Sequence, residues 1–177
     1  MTVTATAPWA PVKDQEEVVF ENANVVSSDD STVTKASLHL KGGIVAGIFP
    51  ADSPNISKTR SIDLEGKYVC PGLIDCHVHL TAAPGSETML ELYAAHPDTI
   101  AYRTAWNAKQ MLLRGFTTVR DTGGATYALR DAIAQNIIAD PRIFIVGKAL
   151  SQTGGHGDLG APYEDASFKY CGGHGLT

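Results

Sequence analysis

Apolar and polar positions alternate along the first part of the chain and then change to a longer period, which splits the sequence into a strand-rich segment and a segment of strands and helices. Glu17-Val18-Val19-Phe20-Glu21-Asn22-Ala23-Asn24-Val25-Val26 reads as a strand, followed by a Ser/Asp-rich turn at residues 27–31. Lys35-Ala36-Ser37-Leu38-His39-Leu40 and Ile44-Val45-Ala46-Gly47-Ile48-Phe49 flank Lys41-Gly42-Gly43, which predicts a hairpin and a small antiparallel sheet. His39, between two leucines, is expected to point outward as a polar residue on a half-buried strand. Residues 61–68 lead into an apolar run, Val69-Cys70-Pro71-Gly72-Leu73-Ile74-Asp75-Cys76-His77-Val78-His79-Leu80, which reads as another strand.

From Asp98 the period becomes helical: Ala101, Ala105, Ala108 and Leu112 fall on one stripe, with Asp98 predicted as N-cap and Gly115 as the stop. Phe116-Thr117-Thr118-Val119-Arg120-Asp121 is a β-branched strand. Ala125, Ala128, Leu129, Ala132 and Ile133 mark a second amphipathic helix that ends before Pro141, and Arg142-Ile143-Phe144-Ile145-Val146-Gly147 supplies a third buried strand. Strands alternating with helices every ~30 residues predict right-handed βαβ units and a parallel sheet. Residues 151–177 carry seven glycines and little periodicity, and a loop of that length after a strand is expected to be either functional or disordered.

Composition narrows the class. With 44% hydrophobic and 19% charged residues, the 177-residue chain has the make-up of a globular domain, and its formal charge of -5 without a basic cluster argues against nucleic acid or an anionic membrane surface as partner. The apolar runs fall short of the ~20 residues a membrane span needs, and Met1-Thr2-Val3-Thr4-Ala5 lacks the build of a secretory leader, so a cytoplasmic location is expected. Cys70, Cys76 and Cys171 lack metal-type pair spacing and read as reduced thiols, with Cys76 expected to face a helix layer. Nothing in the composition opposes a homo-oligomer.

The candidate chemistry is concentrated at His77 and His79. On a strand, alternate side chains share a face, so Asp75, His77 and His79 are expected on one side and Ile74, Cys76, Val78 and Leu80 on the other. Two imidazoles whose Cα atoms lie roughly 6.6 Å apart can converge on one cation, although the same spacing fits a solvated edge or a hydrogen-bonded core pair. Asp75 could act as an acceptor orienting one imidazole or could stabilise the turn at the strand start. Asp121, expected to share an inward parity with Thr117 and Val119, is a similar candidate or a cap for the helix that follows. His156, in Gly154-Gly155-His156-Gly157-Asp158, could contact a ligand or lie in a solvated loop. His96 and His174 read as solvated.

Pro71-Gly72-Leu73-Ile74-Asp75-Cys76-His77-Val78-His79 closely resembles the first-strand signature of the amidohydrolase superfamily, metal-dependent hydrolases built on a TIM (β/α)8 barrel beside a small β-sandwich. Ile62-Asp63-Leu64-Glu65-Gly66-Lys67 resembles the approach to that strand, and residues 115–124 resemble the second strand and its loop. Residues 149–158 look like the loop after strand three in the prolidase-like branch, which includes an ochratoxin-hydrolysing amidase. The resemblance implies a β-sandwich segment at 1–68 and the first three βα units of a barrel at 69–177. A closed barrel needs about 250 residues, so it is expected to be incomplete in this chain.

The resemblance further implies two divalent cations, commonly zinc, activating water to attack an amide or dipeptide-like small molecule, with His77 and His79 as metal ligands and His156 facing the substrate's carboxylate. The remaining ligands and the proton-moving aspartate are expected beyond Thr177. Two other readings stand beside an N-terminal portion of a C–N hydrolase: a catalytically silent remnant or interaction module, and a lactonase or esterase on the same scaffold.

Overall fold

A computed structural model of the chain describes residues 17–51, 53, 60–85, 87–147 and 152. The chain is mixed α/β and divides into two compact units with their border between Pro71 and Gly72.

The first unit is a five-stranded sheet. Its strands are β1 (Glu17–Val26), β2 (Val33–Lys41), β3 (Ile44–Pro50), β4 (Arg60–Asp63) and β5 (Tyr68–Val69), in the order β3-β2-β1-β4 with β5 also paired to β1. Val19, Ala23, Ala36 and Leu38 are its buried hydrophobic residues, and Ser37 between the last two is buried as well. Gly42 and Gly43, at φ 57° and 72°, close the expected β2–β3 hairpin with the left-handed pair that a two-residue turn needs.

The sheet is not antiparallel throughout, because β4 and β5 run parallel to β1. Between them the chain stays on β1: Leu64 N–H donates to the Glu21 carbonyl at 2.9 Å and Gly66 N–H to the Asn22 carbonyl at 2.8 Å, beside the irregularity in β1 between Phe20 and Ala23, which holds the 64–67 turn against that strand. His39 is part-buried on β2, its Nε2 lying 2.7 Å from Glu17 Oε1.

In the second unit, β6 (Leu73–Val78), β7 (Phe116–Asp121) and β8 (Arg142–Ile145) form a parallel sheet in that order. Helix α2 (Pro97–Leu113) connects β6 to β7, and α3 (Tyr127–Ala134) connects β7 to β8. The core joins Leu80, Val119 and Ile143 to Ala108 of α2 and to Ala125 and Leu129 at α3. Helix α2 begins earlier than the spacing predicts: His96 is the N-cap, its Nδ1 accepting from Asp98 N–H at 3.2 Å, and Pro97 occupies the first turn, where a missing N–H costs nothing. Its buried stripe is Ile100, Thr104 and Ala108, with Ala105 partly covered and Ala101 exposed. A short helix, α1 (Met89–Ala94), was not signalled by the sequence pattern; Thr88 caps it, accepting from Glu91 N–H.

Three facial assignments also change. Asp75 pairs with Val119 but Val78 pairs with Asp121, so β6 spends one residue more than β7 between these pairs, and this bulge breaks the strict alternation. Asp75 consequently stands at the register of the buried Val119 instead of sharing a face with both histidines. Val119 packs among helix residues, so the shared parity of Val119 and Asp121 points toward the helices, not away from them. Cys76 and Ile74 are exposed, whereas Val78 and Leu80 join the core.

Candidate functional site

His77 is the penultimate residue of β6 and His79 lies one residue past its end, where the strand passes into a turn that begins at Leu80. Both imidazoles are exposed, with ring centroids 5.5 Å apart and planes at 71°. His79 Nδ1 lies 3.1 Å from the Gly123 carbonyl oxygen. A carbonyl only accepts, so Nδ1 carries the hydrogen and Nε2 of the neutral ring keeps its lone pair. Thr122 Oγ1 is 3.4 Å from Nε2 and also reaches the Val78 carbonyl at 3.3 Å. An imidazole anchored through one nitrogen with the other available is the arrangement metal-binding histidines adopt.

The segment that supplies Gly123 is held tightly. Asp121 at the end of β7 is fully buried, and its carboxylate accepts from three backbone N–H groups: Leu80 at 2.8 Å, Gly123 at 2.9 Å and Ala125 at 3.1 Å. Thr122 N–H donates to the Val78 carbonyl at 2.9 Å and Gly124 N–H to the Gly147 carbonyl at 3.2 Å. From α2, Asn107 Nδ2 donates to the Leu80 carbonyl at 3.0 Å, so the residue after His79 is gripped at both its amide and its carbonyl.

The structure brings His77, His79 and Asp121 to one end of the parallel sheet. Asp75 uses its Oδ1 to accept from His77 N–H at 3.0 Å, a turn contact across the β6 bulge. His156 lies outside the described residues, as do Cys171 and His174. Among the described residues no group of three or more His, Cys, Asp or Glu side chains could hold a metal ion. Asn107, Thr122 and Gly123 escaped the sequence reading, since their contacts with the histidine segment span 27 to 44 residues and leave no local pattern.

A strand ending in paired histidines, followed by a parallel βαβ arrangement, is matched by the amidohydrolase family over residues 68–171, more than half the chain. The chain belongs to that family. It is 31% identical over 154 residues to ochratoxinase from Aspergillus niger, which covers 82% of this chain and 31% of that enzyme. Over 64 residues it is 42% identical to L-hydantoinase from Paenarthrobacter aurescens, covering 36% of this chain and 13% of the relative. A crystal structure of a prolidase complexed with N-methylphosphonate-L-proline superposes with a TM-score of 0.75 at 35% identity, covering 84% of this chain and 36% of that one. The chain thus spans about a third of the length of ochratoxinase and of the prolidase. Among the described residues no helix is long and apolar enough to cross a membrane.

Proposed function

We propose that this chain forms the N-terminal part of a metal-dependent amidohydrolase that cleaves an amide-type C–N bond in a small, dipeptide-like molecule, with His77 and His79 as ligands for divalent metal, zinc by preference. In this reading residues 1–68 belong to a β-sandwich and residues 69–177 to the first three βα units of a (β/α)8 barrel. One observation carries the proposal: His79 donates from Nδ1 to the Gly123 carbonyl, which keeps the lone pair on Nε2, and its ring centroid lies 5.5 Å from that of His77. Two neutral imidazoles fit a divalent cation, because they bind it without cancelling its charge. When bound, such a cation supplies Lewis acidity, which lowers the pKa of a coordinated water from 15.7 toward ~7 and polarises a carbonyl.

This chain's own residues hold and aim. The Gly123 carbonyl fixes the His79 ring, and Asp75 and Asp121 fix the backbone on which the two histidines sit. We assign His156 to the substrate's carboxylate, and the similarity to a prolidase crystallised with a proline-derived ligand supports a substrate of that shape. The remaining metal ligands fall to residues beyond this chain, so the isolated chain presents a half-site.

Zinc content of the purified chain tests the reading. Near-stoichiometric zinc that falls at least tenfold on His77→Ala or His79→Ala is the expected result. Absence of zinc from the wild-type chain, or zinc indifferent to both substitutions, overturns it in favour of a silent remnant.

A further inference from the structure

Asp121 has more to do than its place at a strand end requires. We infer that it is a positioning residue for His79, a role that rests on the metal-ligand reading only for its purpose and not for its geometry. Two of its three donors flank the histidine's anchor: Leu80 N–H belongs to the residue after His79, and Gly123 N–H to the residue whose carbonyl accepts from His79 Nδ1. The carboxylate closes a ring that runs from Asp121 through Leu80 and His79 to Gly123 and back. It sets the distance between the imidazole and the carbonyl that fixes its tautomer.

The alternative duty, capping the next helix, is filled by another residue. Helix α3 begins at Tyr127, and its N-cap is Thr126, whose Oγ1 accepts from Leu129 N–H at 3.2 Å. Both Asp121 oxygens face donors only, Oδ1 taking Gly123 and Ala125 and Oδ2 taking Leu80. An amide at this position would turn a donating NH2 against an N–H, so Asp121→Asn keeps the volume and breaks one side of the ring.

The test compares wild type with Asp121→Asn by long-range proton–nitrogen correlation spectra of the imidazoles, at a pH where they are neutral, and by zinc competition against a chromophoric chelator. In the wild type His79 is expected in the Nδ1–H tautomer; an Nε2–H wild type overturns the inference outright. In Asp121→Asn the His79 tautomer ratio shifts severalfold while His77 is unchanged, and zinc affinity drops about tenfold or more. A folded Asp121→Asn with an unmoved His79 tautomer overturns it, whatever happens to its melting temperature.

Thr126→Ala is the control, because it removes the cap of α3 and none of the contacts of the ring. It leaves the His79 tautomer in place, and an equal shift there means general loosening and defeats the inference. Should Asp121→Asn fail to fold, hydrogen exchange in the wild type decides: slow exchange of the Leu80 and Gly123 amides supports the ring, and fast exchange overturns it. No zinc in the wild type with the tautomer response intact supports the positioning role and sinks only the metal reading.

Discussion

Asp140 shows how one side chain limits stability away from the site. Its Oδ2 is buried without a hydrogen-bond partner, and burial pushes its carboxyl above the ordinary value of 3.8, an effect the charge of Lys109 opposes only in part. The Lys109 ammonium is committed to the Ala139 carbonyl at 2.9 Å. A carboxyl whose folded pKa is raised binds its proton more tightly when folded, so it favours folding at low pH, and that contribution is lost as pH rises from 3.8 through the raised value. Asp140→Ala is therefore expected to raise the melting temperature at pH 7 by about 2–4 °C, corresponding to about 1 kcal/mol for a half-buried acceptor, and to have no such benefit below pH 3.8. Melting curves at both pH values check the sign. At this scale the His77/His79 pair was legible because its spacing is local, whereas the duties of Asp121 and Asn107 depend on backbone groups 41 and 27 residues away.

Elements were legible where their pattern is regular and became obscure where one residue interrupts it. The bounds of β1 were legible from its apolar residues at both ends and the Ser/Asp-rich turn after it, despite its bulge, and those of β7 from its β-branched run. The bulge in β6 removed Asp75 from the predicted face, α2 starts at Pro97 with His96 as its N-cap in place of Asp98, and the six-residue α1 is too short to show a period. The segment joining β7 to α3 depends on backbone that only glycine tolerates. Gly124 has φ 118°, and a Cβ placed there would run into the Thr81 side chain. Gly124→Ala is expected to cost about 2 kcal/mol or more, from dihedral strain plus overlap. Adding Thr81→Ala should recover the overlap part and leave the strain. A double-mutant cycle in denaturant measures that coupling, and purely additive effects would place the whole cost in the backbone.

For the molecule as a whole, what matters is how much of its sheet surface is uncovered. In the second unit one face is packed under α2 and α3, while Ile74 on β6 and Phe144 on β8 are 67% and 58% exposed, and among the described residues the order β6-β7-β8 leaves each outer strand with one paired edge. In the first unit the edge strand β3 exposes Ile44, Val45 and Ile48. Open edges beside apolar side chains recruit other chains, and apolar surface left in water contributes nothing to stability, at about 25 cal/mol per Å² forgone. The 177 residues correspond to about a third of ochratoxinase, and taken alone they carry these surfaces with few residues to offset them. The isolated 177-residue chain is therefore expected to melt broadly and at low temperature and to elute above its 18.8 kDa monomer mass in size-exclusion chromatography. Raising its concentration should increase the associated fraction, because association covers the same edges. A sharp, cooperative transition well above room temperature from a monomeric peak would mean that three parallel strands and two covering helices suffice, and that the exposed faces carry no energetic debt.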